Sequence, residues 1–187
     1  IRDISFPSNA TVTFTQGTSA IASLNGNVSV GPLASGVSGG VALTMQAGAG
    51  SLEIQGDVTG MRSIALKNAS TVTLAGDLTS SGAISITPTV AITGNSTLTG
   101  SSIAFSSLVN GPGTLTLNAT SISFGGAVGS SSSLSNFTLA SGSITKWPSS
   151  ITATGAITFT PAISINAATN LSLNSSSIAF SSTVNGA

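Results

Sequence analysis

Short apolar–polar–apolar triplets run the length of this chain. Val12-Thr13-Phe14, Leu52-Glu53-Ile54, Ile64-Ala65-Leu66, Val72-Thr73-Leu74 and Ile84-Ser85-Ile86 are early cases. Leu115-Thr116-Leu117, Ile122-Ser123-Phe124, Ile157-Thr158-Phe159 and Leu171-Ser172-Leu173 are later ones. Alternation at period two predicts strands with one buried face. Clusters of Ser, Gly, Asn and Asp between the triplets supply turns. No helical stripe lasts long enough to compete, so the expected helix content is close to nil. Residues 31–50 alternate less cleanly and predict a longer corner or an irregular coil.

The triplets recur with a beat. Ile54-Gln-Gly-Asp-Val58 returns as Leu74-Ala-Gly-Asp-Leu78, and Phe105-Ser-Ser-Leu-Val109 as Phe124-Gly-Gly-Ala-Val128. Longer echoes overlie this beat. SSIAFSSLVNG at 101–111 returns as SSIAFSSTVNG at 176–186, and GAISITPTVAI at 82–92 as GAITFTPAISI at 155–165. Each long echo spans about four short units. The two long offsets differ slightly, which reads as a small insertion near Ala167. A unit this short cannot bury its apolar face alone, so neighbours must stack. The expected fold is all-β, a parallel β-helix (β-solenoid) with coils of about 19–20 residues. About nine or ten coils at the ~4.8 Å strand spacing give a rod of about 45 Å.

Composition fits that geometry. Ser (36), Thr (25), Ala (23), Gly (22) and Asn (12) dominate the 187 residues. Stacked like charges repel, and only eight residues are charged, with no net charge. Four basic residues argue against nucleic-acid binding, which needs Lys and Arg to neutralise phosphates. The absence of Cys excludes disulfides and thiolate metal sites. No apolar run approaches the length of a transmembrane helix, and aromatics are too few for the girdles of a membrane barrel. No membrane insertion is expected. The chain opens on IRDISF and closes on NGA in mid-pattern, so residues 1–187 read as one solenoid segment of a larger protein.

Several of these words look like the repeats of filamentous-haemagglutinin-type exoproteins. They are GDVTG (56–60), AGDLTS (75–80), VNGPGTLTLNA (109–119) and SISFGGAVGSSSSLSNFTLASGSI (121–144). The resemblance covers roughly residues 52–187. It implies a right-handed β-helix, an extracellular or bacterial cell-surface location, and a stalk or adhesin role. The family's N-terminal secretion module is not recognisable here, and there is no Arg-Gly-Asp motif.

Candidate chemistry is sparse. General acid–base work needs a positioned His, carboxylate, Lys or Tyr, and the chain has neither His nor Tyr. Its acids are Asp3, Glu53, Asp57 and Asp77. Asp57 and Asp77 stand one coil apart and either stack as a pair, which a glycosidase would need, or cap turns through backbone N–H groups. The expectation is no enzyme, no cofactor and no metal. Lys146-Trp147 holds the one Trp. It reads either as a candidate anchor for a receptor or glycan, or as a plug in a widened corner. Asn-x-Ser/Thr acceptor sites occur at Asn9, Asn27, Asn68, Asn95, Asn118, Asn136, Asn170 and Asn174. Either they carry sugar or they follow from composition and ladder chemistry. Thr-x-Thr words start at Thr11, Thr71, Thr97, Thr114 and Thr158. Their uneven gaps predict a broken Thr ladder.

The expected function is therefore a structural and adhesive rod in a secreted bacterial surface protein, with an unidentified surface receptor or glycan as partner. Alternatives are a self-assembling filament or surface-layer subunit, and a carbohydrate- or ice-binding module. A solenoid exposes unpaired strand edges at its ends, and uncapped edges near Ile1 or Ala187 would permit end-to-end self-association.

Overall fold

The computed structural model describes residues 3–7, 9–165 and 170–186. The tips at Ile1 and Ala187, and the insertion expected near Ala167, lie outside the described residues. Among those described there is no helix, and every strand pairing is parallel. The chain winds as a β-solenoid of about 8 turns, with stacked strands about 21 residues apart.

Each turn visits three strand positions. The first face stacks Ile4–Ser5, Val28–Val30, Leu52–Ile54, Thr71–Leu74, Thr89–Ile92 and Val109–Asn110. Single bridges carry it through Val128 to Ile151, and Ser150–Thr152 then pairs with Ser172–Asn174. The second face starts at Val12–Phe14 and Leu33–Ser35 and ends at Ala156–Phe159 and Ser177–Phe180. The third starts at Thr18–Ala22 and Val41–Gln46 and ends at Ile163–Ile165 and Val184–Gly186. Four long strands, Val58–Lys67, Asn95–Phe105, Thr114–Phe124 and Asn136–Lys146, serve the second and third faces in succession. Two of them bend at glycines in the left-handed region, Gly60 (φ 69°) and Gly142 (φ 89°), a conformation side chains resist.

The apolar partner of each triplet points inward, and the columns fuse into one core. Val28, Leu52, Val72, Val90 and Val109 line the first face, and Leu33, Val58, Leu78, Leu98 and Leu117 the second. All ten are fully or almost fully buried. Five Phe rings form a chain through the later turns. Phe105 stacks on Phe124 (5.3 Å, 8°), Phe124 and Phe159 flank a tilted Phe137, and Phe159 stacks on Phe180 (5.2 Å, 7°).

The short beat holds in the middle of the rod. There the first face steps evenly from Leu52 through Val72, Val90 and Val109 to Val128. Elsewhere the turns are longer, as in the steps from Leu33 to Val58 and from Val128 to Ile151. Longer turns give about 8 of them instead of nine or ten. The stretch 31–50 divides. Leu33–Ser35 and Val41–Gln46 are strands, the latter strictly alternating in burial. The irregular part is the bend between them, where Gly39 and Gly40 take φ 81° and 79°.

The long echo does not join equivalent positions. Ile103 and Phe105 sit on the third face, paired with Ile122 and Phe124. Ile178 and Phe180 sit on the second, paired with Ile157 and Phe159. GAISITPTVAI and GAITFTPAISI are displaced in the same way. Ile84 and Ile86 lie on the third face, Ile157 and Phe159 on the second. The repeat therefore spans one face less than four turns, because the steps from Leu117 to Leu139 and from Val128 to Ile151 exceed the beat. The faces are alike enough that one word serves any of them.

Candidate functional site

The polar positions of the solenoid are built by stacking. A side chain at a corner meets the backbone of the turn above it. Asp57 Oδ1 accepts the N–H of Asp77 at 2.9 Å, and Asp77 Oδ1 accepts that of Thr97 at 2.7 Å. A second ladder runs from Asp3 Oδ1 to Asn27 N–H (2.7 Å) and from Asn27 Oδ1 to Ser51 N–H (3.0 Å). Asn110 and Asn136 do the same for Ser131 and Ala156 (3.0 and 2.8 Å). The carboxylates thus cap backbone N–H groups, but those of the next turn rather than of their own. Asp57 and Asp77 each hold one oxygen on a main-chain donor, so they are successive rungs of one ladder.

The ladders also account for half of the candidate acceptor asparagines. Asn27 and Asn136 are rungs as described. Asn118 accepts the Ser141 hydroxyl, and Asn68 donates to Gln46 Oε1 (3.2 Å) at a backbone φ of 49°. Asn9, Asn95, Asn170 and Asn174 are exposed. Of the eight, only Asn136 is half-buried.

Trp147 closes the corner after Asn136–Lys146. Its ring meets Phe159 at 5.9 Å and 55°, and its indole N–H donates to the Ser164 carbonyl at 2.9 Å. It is half-buried against the core, Pro148 beside it is buried, and Lys146 projects into solvent. The ring's polar edge is already engaged by backbone, so the residue is held as a plug with one side outward.

The Thr surface differs from the expectation of a broken ladder. On the second face Thr97, Thr116, Thr138 and Thr158 pair in direct succession, giving one unbroken column over four turns. Thr138 belongs to no Thr-x-Thr word, and the turn lengths vary, so counting those words misses it. The frame apolar–Thr–apolar, in Leu115–Leu117, Phe137–Leu139 and Ile157–Phe159, is the signal that finds it. The flanking column is mixed: Asn95, Thr114, Asn136. The array is one residue wide. A shallow depression under the 36–40 bend is lined by Gly39, Gly60, Met61, Thr79 and Ser81, without a titratable side chain.

Compared with protein-family models, with curated proteins and with solved structures, the chain has no significant match.

Proposed function

We propose that this chain is a rod: a stiff structural segment of an extracellular bacterial surface protein that holds a binding region away from its anchor. The observation that carries this reading is the single core running unbroken from Ile21 to Ile163, with polar side chains spent on joining one turn to the next. Such a body resists bending because each inner turn is bonded to the turns on either side. The resemblance of its words to filamentous-haemagglutinin-type repeats supports the surface location and an adhesive context, and the near-absence of charge suits a ladder rather than a catalytic cleft. The test places this chain between a cell-surface anchor and a binding module of known target. A rod raises target capture on crowded cells as its copies are duplicated, and beads coated with the chain alone bind no host cell. Loss of capture on lengthening, or tight binding by the chain alone, contradicts display as the mechanism.

A further inference from the structure

The third face is paired from turn to turn along the rod, with one interruption. From Thr18–Ala22 up to Asn136–Lys146, each of its strands pairs with the next. Ile163–Ile165 pairs with Val184–Gly186 above it, but not with Asn136–Lys146 below it. Among the described residues no other step on this face lacks a strand pairing. The cut lies within the rod, with paired turns on both sides of it.

The same two turns are bonded firmly elsewhere. On the first face Val128 N–H donates to Ser150 O, and Thr152 N–H to Val128 O, both at 2.9 Å. At the corner between the first and second faces, Thr154 and Gly155 donate to Leu134 O and Ser135 O (2.8 and 2.7 Å). On the second face Phe137–Leu139 pairs with Ile157–Phe159, and Thr160 N–H donates to Leu139 O at 3.0 Å. Past Leu139 the pattern changes. Ile144 pairs with Ile122 but Lys146 with Ser123, so Thr145 is an extra residue in the strand. Such a bulge bends a strand and can end its pairing. Trp147 follows at once. Its indole N–H, donating to Ser164 O at 2.9 Å, stands in for the missing main-chain bonds, and its ring rests on Phe159.

We propose that this cut is a joint in the rod, latched by Trp147. The main-chain bonds of the first and second faces are its hinge, and the third face is the side that opens. Opening there breaks one side-chain hydrogen bond instead of a main-chain ladder, so this step between turns is the least protected against local opening. It tilts the later turns toward the corner between the first and second faces. The turns on each side move as units, because each stays paired to its own neighbour. The joint does not depend on what the rod displays or where it stands.

The experiment is double electron–electron resonance between spin labels on the third face of the 187-residue chain. The chain has no native Cys, so introduced cysteines are labelled alone. Thr44, Ala65, Ser85, Ala104 and Ser123 pair in succession. The Thr44→Cys/Ser123→Cys pair therefore spans uncut sheet, with backbones about 19 Å apart at ~4.8 Å per turn. The Ser85→Cys/Ser164→Cys pair spans the same number of turns but crosses the cut. The proposal expects a narrow distribution for the first pair and a broader one, reaching longer distances, for the second. Trp147→Phe keeps a ring but has no N–H. It should lengthen and broaden the second distribution only, with an unchanged β spectrum. Equal widths for the two pairs in the parent overturn the joint, a comparison that needs no substitution at Trp147. Equal broadening of both pairs in Trp147→Phe also overturns it, because the whole rod then flexes. A Trp147→Phe distribution identical to the parent's overturns the latch.

Discussion

Ser96 shows what a single inward position is worth. It is 2% exposed, and its hydroxyl has no hydrogen-bond partner, while the column above it continues as Leu115 and Phe137. A buried donor without a partner costs about 1–3 kcal/mol, so Ser96→Ala should stabilise the chain by about 1 kcal/mol, read from the urea midpoint. Phe124→Ala should cost about 3–5 kcal/mol, because its ring contacts Phe105 and Phe137 and is buried. Asp77→Ala removes the acceptor of Thr97 N–H and should cost about 1 kcal/mol, whereas Asp77→Asn, which keeps the acceptor, should stay close to the parent. Equal losses in the two Asp77 variants would mean that charge, not capping, is what matters there. Inward apolar positions were legible in the sequence because alternation marks them directly. The rungs were not, since the donor each Asp or Asn serves lies a full turn away.

At the level of strands and corners, turn length decides what the sequence reveals. The short beat was legible where turns are uniform, between Leu52 and Val128. It failed at both ends, where bends such as 36–40 add residues without adding a strand. The same variation hid the Thr column and moved the long echo by one face. Corners packed closely on a neighbouring turn should be more sensitive than open corners. A Cβ at Gly142 would overlap the Ala119 carbonyl, and its φ of 89° lies in the left-handed region. Gly142→Ala should therefore cost at least about 1–2 kcal/mol from conformation alone. Gly17, with nothing within 4 Å of such a Cβ, is the control, and Gly17→Ala should be tolerated. Thermal melts of the two variants, side by side, check this.

For the whole molecule, the central claim is that stacked turns place chosen residues on a line, one strand spacing apart. The outward column of the first face runs Ser29, Glu53, Thr73, Ala91, Asn110. The Val128 bridges then carry the face to Thr152, and Thr152 pairs with Asn174. From Ser29, residues Asn110, Thr152 and Asn174 therefore lie four, six and seven turns away. Spin labels on cysteines introduced in the pairs 29/110, 29/152 and 29/174, measured by double electron–electron resonance, give three distances. Stacking at about 4.8 Å per turn predicts distances of about 19, 29 and 34 Å between backbones, rising in proportion to the number of turns. Distances that fail to rise in that order, or that fall together as in a folded-back sandwich, would contradict the solenoid.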